Sequence, residues 1–327
     1  MSARVLVLGA SGFIGRRIVA ALVADGDFQP VAASRQAAGI AWGRNVEALN
    51  VDASDPKGLR AALTGAQAVI NCVAGHPALI RNVAQGLFAA AIAMPTPPRV
   101  VNLGSLAAYG SATGLVEESA PLRGDLDEYS AAKAQTDVLA AQYRFAVTLR
   151  PGIVYGPGSP WWSDRIARLL VSHRLGDLGT RGSGICNLIY VEDVAAAAVH
   201  ALRISLAPHS AFNLSSSGAM TWNEYFAHYA AALNALPVKK ISSARWTFET
   251  RLASLPLKAM EAALRAPGAS RWNPLPPIRP WLAEICTRTI QMDVTAAQGL
   301  LGMRWTPLET GLAATAQWFR GGGRTAI

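Results

Sequence analysis

Residues 5–17 read VLVLGASGFIGRR, a short apolar run that passes straight into three glycines, Gly9, Gly12 and Gly15, at three-residue steps. An apolar run of this length bounded by glycine reads as a buried strand, and the residues after it carry helical periodicity. A strand that turns into a helix through such bare backbone is the opening unit of a nucleotide-binding sheet. Gly9 permits the tight turn, Gly12 lets the main chain approach a pyrophosphate, and Gly15 lets helix pack closely on strand. The helix beginning near Gly12 then aims its free N–H groups and positive dipole end at the phosphates. Ser11, Phe13 and Ile14 lie within the turn and are expected at the same ligand. An ordinary strand–helix turn is the alternative.

The first half of the chain repeats this unit. ARVLVLG, QPVAAS, AQAVINCVA, PRVVNLGS and AVTLRPG read as strands, with LNVDASD following a further, third strand candidate. GRRIVAALVADG, DPKGLRAALTG, LIRNVAQGLFAAAIA and AAKAQTDVLAAQYR between them read as helices. That alternation predicts a doubly wound α/β domain of Rossmann type, a parallel sheet covered on both faces. Its ligand would sit outside the carboxyl ends of the strands. The pattern predicts a dinucleotide-binding domain over residues 1–155, completed by about 185–217, where NLIYVEDVAAAAVHAL returns to strand and helix. Residues 156–184, with WWSDRIARLLVSH as a helix, and 218–327 are expected to form a smaller, mostly C-terminal substrate-binding lobe.

The second strand candidate ends at VAASRQ, and nineteen residues past Gly15 stands Ser34, followed by Arg35. Dinucleotide folds that take NAD carry a carboxylate about there for the ribose 2′-hydroxyl. A hydroxyl and a guanidinium instead suit a 2′-phosphate, and Arg16 would add a second positive charge. NADP(H) is therefore favoured, with NAD(H) the alternative and a merely solvated Arg35 the other. Asp52, beside Ala53, is placed to accept from the adenine amino group. Asp55 is expected to cap the helix that starts at Pro56.

EYSAAKAQTD puts Tyr129 and Lys133 four apart at the start of a helix, on one face. An ammonium beside a phenol favours its ionised form, so Lys133 is expected to stabilise charge on the Tyr129 oxygen. It would also hold the nicotinamide ribose hydroxyls. Ser105 closes the strand candidate VVNLGS, and its hydroxyl would share one substrate oxygen with Tyr129. This is general acid–base chemistry in which a cofactor carries the hydride.

The motifs GASGFIG, VINCVAG, GSLAAYG, YSAAK, LRPGIVYGPG and NLIYVEDVA occur in this order over nearly two thirds of the chain. The chain resembles the extended short-chain dehydrogenase/reductases, also labelled the NAD-dependent epimerase/dehydratase family. The closing segment DVTAAQGLLGMRWTPLETGL is similar to theirs as well. The resemblance implies a catalytic triad of Ser105, Tyr129 and Lys133. It implies that Asn82 helps order the site, an ordinary polar helix residue being the alternative. It also implies that Ala74 and Gly75 pass under the cofactor ribose, and that Pro151, Gly152, Ile153 and Val154 line the nicotinamide. Asp193 is expected to cap its helix. Two departures stand out. The segment HPALIR before Asn82 is short, which trims a loop bordering the cleft, and Gly104 stands where relatives often carry a second serine, a change expected to be harmless.

The substrate is a small molecule, hydrophobic or nucleotide-linked. An NADP(H)-dependent oxidoreductase acting on a secondary alcohol or ketone is favoured, since Trp161, Trp162, Trp246, Trp272 and Trp281 suit an apolar or aromatic substrate. A nucleotide-sugar epimerase or dehydratase is the alternative, with Arg271, Arg279 or Arg288 for the diphosphate. SLAAYG lacks the acid pair of dehydratase relatives. A non-catalytic NADP sensor would lack Tyr129 or Lys133, and both are present.

Composition bounds the partners. Of 327 residues 51% are hydrophobic and 16% charged, which excludes a disordered chain. The net charge of +9 comes from scattered basic residues, so no nucleic-acid surface is expected, although an anionic ligand or a lipid surface would use it. No apolar run reaches transmembrane length, and residues 1–4 lead directly into the first strand, so neither an integral segment nor a signal peptide is expected. Cys72, Cys186 and Cys286 lie far apart, which suits a reducing cytoplasm. The basic, proline-broken segment 251–288 could rest on a membrane surface. His76, His173, His200, His209 and His228 show no ligand spacing, so no metal is expected. Alanine-rich AAKAQTDVLAAQ and LFAAAIA would allow a homodimer through close helix packing.

Overall fold

A computed structural model describes residues 2–204, 210–216, 218–252 and 276–323. His209, Arg271, Trp272 and most of the segment 251–288 lie outside the described residues.

Seven strands form one parallel sheet in the order β10-β7-β5-β4-β1-β2-β3. They are β1 (Ala3–Leu8), β2 (Phe28–Ser34), β3 (Glu47–Asn50), β4 (Ala68–Asn71), β5 (Arg99–Leu103), β7 (Ala146–Pro151) and β10 (Ser210–Leu214). The helices between them are α1 (Phe13–Asp25), α2 (Pro56–Leu63), α3 (Pro77–Ile92), α4 (Glu128–Ala141) and α6 (Val191–Arg203). The fold is therefore the Rossmann-type α/β sheet that the alternating pattern predicts. Strand order reverses between β1 and β4, which opens a crevice at the carboxyl ends of the strands.

Burial explains the arrangement. Val5 and Val7 of β1 join one apolar cluster with Ile18 and Leu22 of α1 and Val194 of α6. Leu6 and Leu8 point the other way, into a second cluster with Leu59 of α2 and Leu87 and Phe88 of α3. Successive side chains alternate faces, so a strand apolar at every position requires helices on both sides. Each such Val or Leu contributes about 1.5–3 kcal/mol by leaving water.

Caps set where helices begin. The Asp55 carboxylate accepts from the main-chain N–H of Lys57 and Gly58 at 3.1 and 3.0 Å, as its position before Pro56 predicts. At α4, the Asp127 carboxylate accepts from Ser130 N–H at 2.7 Å, and the Ser130 Oγ accepts from Asp127 N–H at 3.0 Å. This reciprocal pair starts the helix at Glu128 and puts Tyr129 in its first turn, Lys133 one turn on.

Two short pairings lie outside the sheet. β6 (Gly114–Val116) pairs with β11 (Ile290–Met292), and β8 (Ile153–Tyr155) with β9 (Leu188–Tyr190). The strand in NLIYVEDVA is thus β9, a satellite and not a member of the main sheet. Asp193 does not cap α6, whose N-cap is Tyr190. It stands two residues inside the helix start, from where its carboxylate accepts from Thr306 N–H at 3.0 Å and Thr306 Oγ at 2.7 Å. That tie holds α6 to the chain before the last described helix.

Candidate active site

One cavity of about 1650 Å³ runs along the carboxyl ends of the strands, well above the 300–1,000 Å³ typical of a small-ligand pocket. At one end lies the glycine turn. Gly9 takes φ +77° and its N–H donates to Ala33 O at 3.0 Å, joining the turn to β2. A Cβ on Gly15 would overlap the Gly9 carbonyl oxygen and come within 2.9 Å of Ala10 Cα. No side chain caps α1 at Gly12, so its first N–H groups face the cavity ready for an anion.

Ser11, Gly12, Phe13, Ile14, Ser34, Arg35, Asp52, Ala53 and Ala74 also line this end. The Ser34 Oγ is buried without a hydrogen-bond partner, a costly state for a hydroxyl that a polar group docking at the end of β2 would relieve. Arg35 is exposed. Hydrogen bonds from the Ser54 hydroxyl and N–H hold the Asp52 carboxyl below its ordinary value, with the Arg35 charge a smaller cause. Arg16 turns back, its Nε donating to Ser11 O at 3.1 Å. The cradle that side chains would fill and the orphaned hydroxyl both fit a dinucleotide.

Ser105, Tyr129 and Lys133 line the same cavity, as do Pro151, Gly152, Ile153 and Val154. Ser105 is the N-cap of a short 3₁₀ turn, Leu106–Tyr109, and its Oγ accepts from Ala107 N–H at 3.1 Å. That bond engages a lone pair and leaves the hydroxyl proton to donate. Tyr129 is 37% exposed. Lys133 is buried, and its Nζ donates to Leu103 O at 2.7 Å. Below it, burial pushes the Cys72 thiol up to about 12, with the Lys133 charge opposing. Burial likewise raises Asp137, against the pull of Arg150 and Lys133. Arg150 Nε donates to Asp137 at 2.7 Å, and its Nη1 to the Tyr109 hydroxyl at 2.7 Å. Tyr109 in turn donates to Asn213 Oδ1 at 2.7 Å. This buried chain ties α4 to β7, the 3₁₀ turn and β10.

Two expected residues stand apart. Asn82 is exposed on α3, while Leu79 and Val83 of the same helix face the cavity. Gly75 lies beside Ala74 but does not line the cavity. Ser111, Ser159 and Glu284 do line it and are not anticipated from sequence. Only Ser159 had a local signal: a serine before Pro160 that accepts from Trp162 N–H at 3.4 Å as the cap of the next turn. Among the described residues, no group of His, Cys, Asp and Glu side chains is arranged to hold a metal ion, and no helix is long and apolar enough to cross a membrane.

The sheet order, the glycine turn and the cleft at the strand ends define a dinucleotide-type Rossmann protein. The chain belongs to the NAD dependent epimerase/dehydratase family, whose model matches residues 5–215, and so to the extended short-chain dehydrogenase/reductases. A dTDP-6-deoxy-L-talose 4-dehydrogenase (NAD(P)(+)) of Kitasatospora kifunensis is 33% identical over 174 residues, 48% of this chain. The match spans about half of that relative, 54% of its length. The fold is also that of a UDP-glucose 4-epimerase of Thermotoga maritima solved with UDP-glucose, at TM-score 0.72 and 18% identity, covering 98% of this chain and 99% of that one. A UDP-glucuronic acid 4-epimerase of Bacillus cereus, solved with UDP-glucuronic acid and NAD, gives TM-score 0.73 at 17% identity over 97% and 99%.

Proposed function

We propose that this protein is an NADP(H)-dependent oxidoreductase that interconverts a secondary alcohol and its ketone through Ser105, Tyr129 and Lys133. The observation that carries the reading is that all three line one cavity with the glycine turn and with Ser34 and Arg35. Gly9, Gly12 and Gly15 would cradle the pyrophosphate, while Ser34 and Arg35 would meet a 2′-phosphate. Bound there, the nicotinamide supplies hydride exchange with the substrate carbon. Ser105 holds the substrate oxygen with its free proton. The Tyr129 hydroxyl gives that oxygen a proton in reduction and takes it back in oxidation. Lys133, one helical turn on, would bring its ammonium to the phenol's side of the cleft, and its Nζ is held there by Leu103 O. The relative's name, a dehydrogenase using NAD or NADP, favours net turnover with cofactor release.

The test compares NADPH and NADH oxidation with a panel of ketones. NADPH-dependent turnover is expected, and a protein inert with every ketone and both cofactors would refute the reading. The second reading is a nucleotide-sugar epimerase that retains NAD(H), favoured by structural neighbours named for UDP-sugars. Purified protein carrying a stoichiometric, non-exchanging nicotinamide would select it. We further propose a homodimer through α3 and α4, where Ile92 and Val138 are 62% and 49% exposed. Light scattering tests it.

A further inference from the structure

The substrate half of the cleft carries a tryptophan wall that the triad does not explain. Trp161 and Trp162 follow Ser159 in one tight turn, and Trp281 comes from a helix more than a hundred residues later, Pro280–Ile285. The Trp161 and Trp281 rings meet edge to face at 6.2 Å, as do Trp162 and Trp281 at 5.4 Å. Behind them Trp162 packs on the buried Trp222 at 5.6 Å. All four line the cavity.

The wall is held in place before any ligand arrives. The Tyr225 hydroxyl donates to the Trp162 carbonyl at 2.5 Å. Guanidinium groups of Arg165 and Arg279 each lie 5.2 Å from the Trp161 ring centre. Despite these contacts Trp161 remains 40% exposed. A large aromatic side chain fixed by two cations and a neighbouring ring, yet left open to a cleft, offers a flat apolar ligand a stacking surface at little ordering cost.

Among the described residues, Asp127, Lys133, Glu284 and Arg288 line the cavity at this end, and the Arg165 and Arg279 guanidiniums stand against Trp161. The Arg288 Nη2 donates to Gly110 O, which fixes the guanidinium in the cavity wall.

We propose that the Trp161–Trp162–Trp281 wall is the substrate-recognition surface and that the substrate is an aromatic or planar cyclic ketone, or the matching alcohol, stacked on it. This rests on the oxidoreductase reading above but names the substrate class, and the two can fail separately. The probe is acetylnaphthalene, with butan-2-one as a small alkyl comparator and UDP-glucose as the anionic one.

Titration calorimetry on the full chain without cofactor is expected to show acetylnaphthalene binding, weakened roughly tenfold in Trp161→Ala and in Trp281→Ala. Trp161→Phe should keep most of it. UDP-glucose is expected neither to bind nor to displace the aryl ketone. In turnover, the preference for aryl over alkyl ketone in kcat/KM should fall roughly tenfold in Trp161→Ala. Circular dichroism checks that each variant is folded, and Trp161→Phe supplies the reading if the alanine variant is not. Aryl-ketone affinity untouched by the loss of Trp161 and Trp281, or displacement by UDP-glucose, would overturn the proposal. Binding at the wall with no turnover of any ketone would instead sink the oxidoreductase reading and leave the wall standing.

Discussion

Lys133 Nζ and the carbonyl oxygen of Leu103 lie 2.7 Å apart, so the lysine of α4 is anchored two residues before Ser105 on the strand that ends at the site. The link fixes how α4 approaches β5 and therefore where Tyr129, one turn earlier, stands. Tyr129 is 37% exposed, so removing its hydroxyl leaves packing intact. Tyr129→Phe is expected to lower turnover by about 10²-fold or more while moving stability by less than about 0.5 kcal/mol. NADPH affinity, read by calorimetry, should hold. Unchanged turnover would refute the assignment of the acid.

The cofactor's ribose end is open to a charge test. Ser34 is buried at the end of β2 beside exposed Arg35. Ser34→Asp would place a carboxylate where a 2′-phosphate is expected, and like charges there are repulsive. The ratio of kcat/KM for NADPH over NADH is expected to fall about tenfold or more, which is about 1.4 kcal/mol. A ratio that does not move would remove the phosphate reading and leave the rest of the site untouched.

Gly104 has a structural role of its own. A Cβ there would lie 2.8 Å from Asp137 Oδ1 and 3.0 Å from Thr148 Cγ2, and Asp137 is locked against Arg150 in the interior. A side chain at this place does not fit unless that carboxylate moves. Gly104→Ala is expected to destabilise the protein by about 1–3 kcal/mol, as overpacking does. Urea denaturation measures it, and a neutral result would mean the Asp137–Arg150 pair yields easily.

What was legible in the sequence is what is local. The glycine turn, the Asp55 cap and the Tyr129–Lys133 spacing each depend on residues within one turn of each other. They bring the chemistry to one face whatever the rest of the chain does. Helical phase decided where the reading missed: Leu79 and Val83 face the cleft, and Asn82, rotated about 100° from Val83, faces solvent. Asp193 missed for a different reason, because its partner Thr306 is far along the chain. The far end of the cleft is built the same way. β6 meets β11 across Gly114 and Ile290, which brings Arg288 against Gly110, next to Ser111, in the cleft wall with no periodicity to announce it.

The Ser111 turn depends on a charge, and that gives it a pH signature. The Asp125 carboxylate accepts from the Ser111 Oγ and from the Ser111 N–H, both at 2.6 Å. These two bonds, the side-chain one first, hold its pKa below the ordinary 3.8. A carboxyl lowered in the folded state contributes stability that is fully present above the ordinary value and fades as pH falls through the folded one. Asp125→Asn removes the anionic acceptor at every pH. The melting temperature of the variant is therefore expected to lie below that of the native protein at neutral pH, with the gap constant down to about pH 5 and closing below 3.8. Differential scanning calorimetry across that range reads the gap directly. A gap that stays open under acid would mean that the shape of the side chain, and not its charge, holds Ser111 against the cleft.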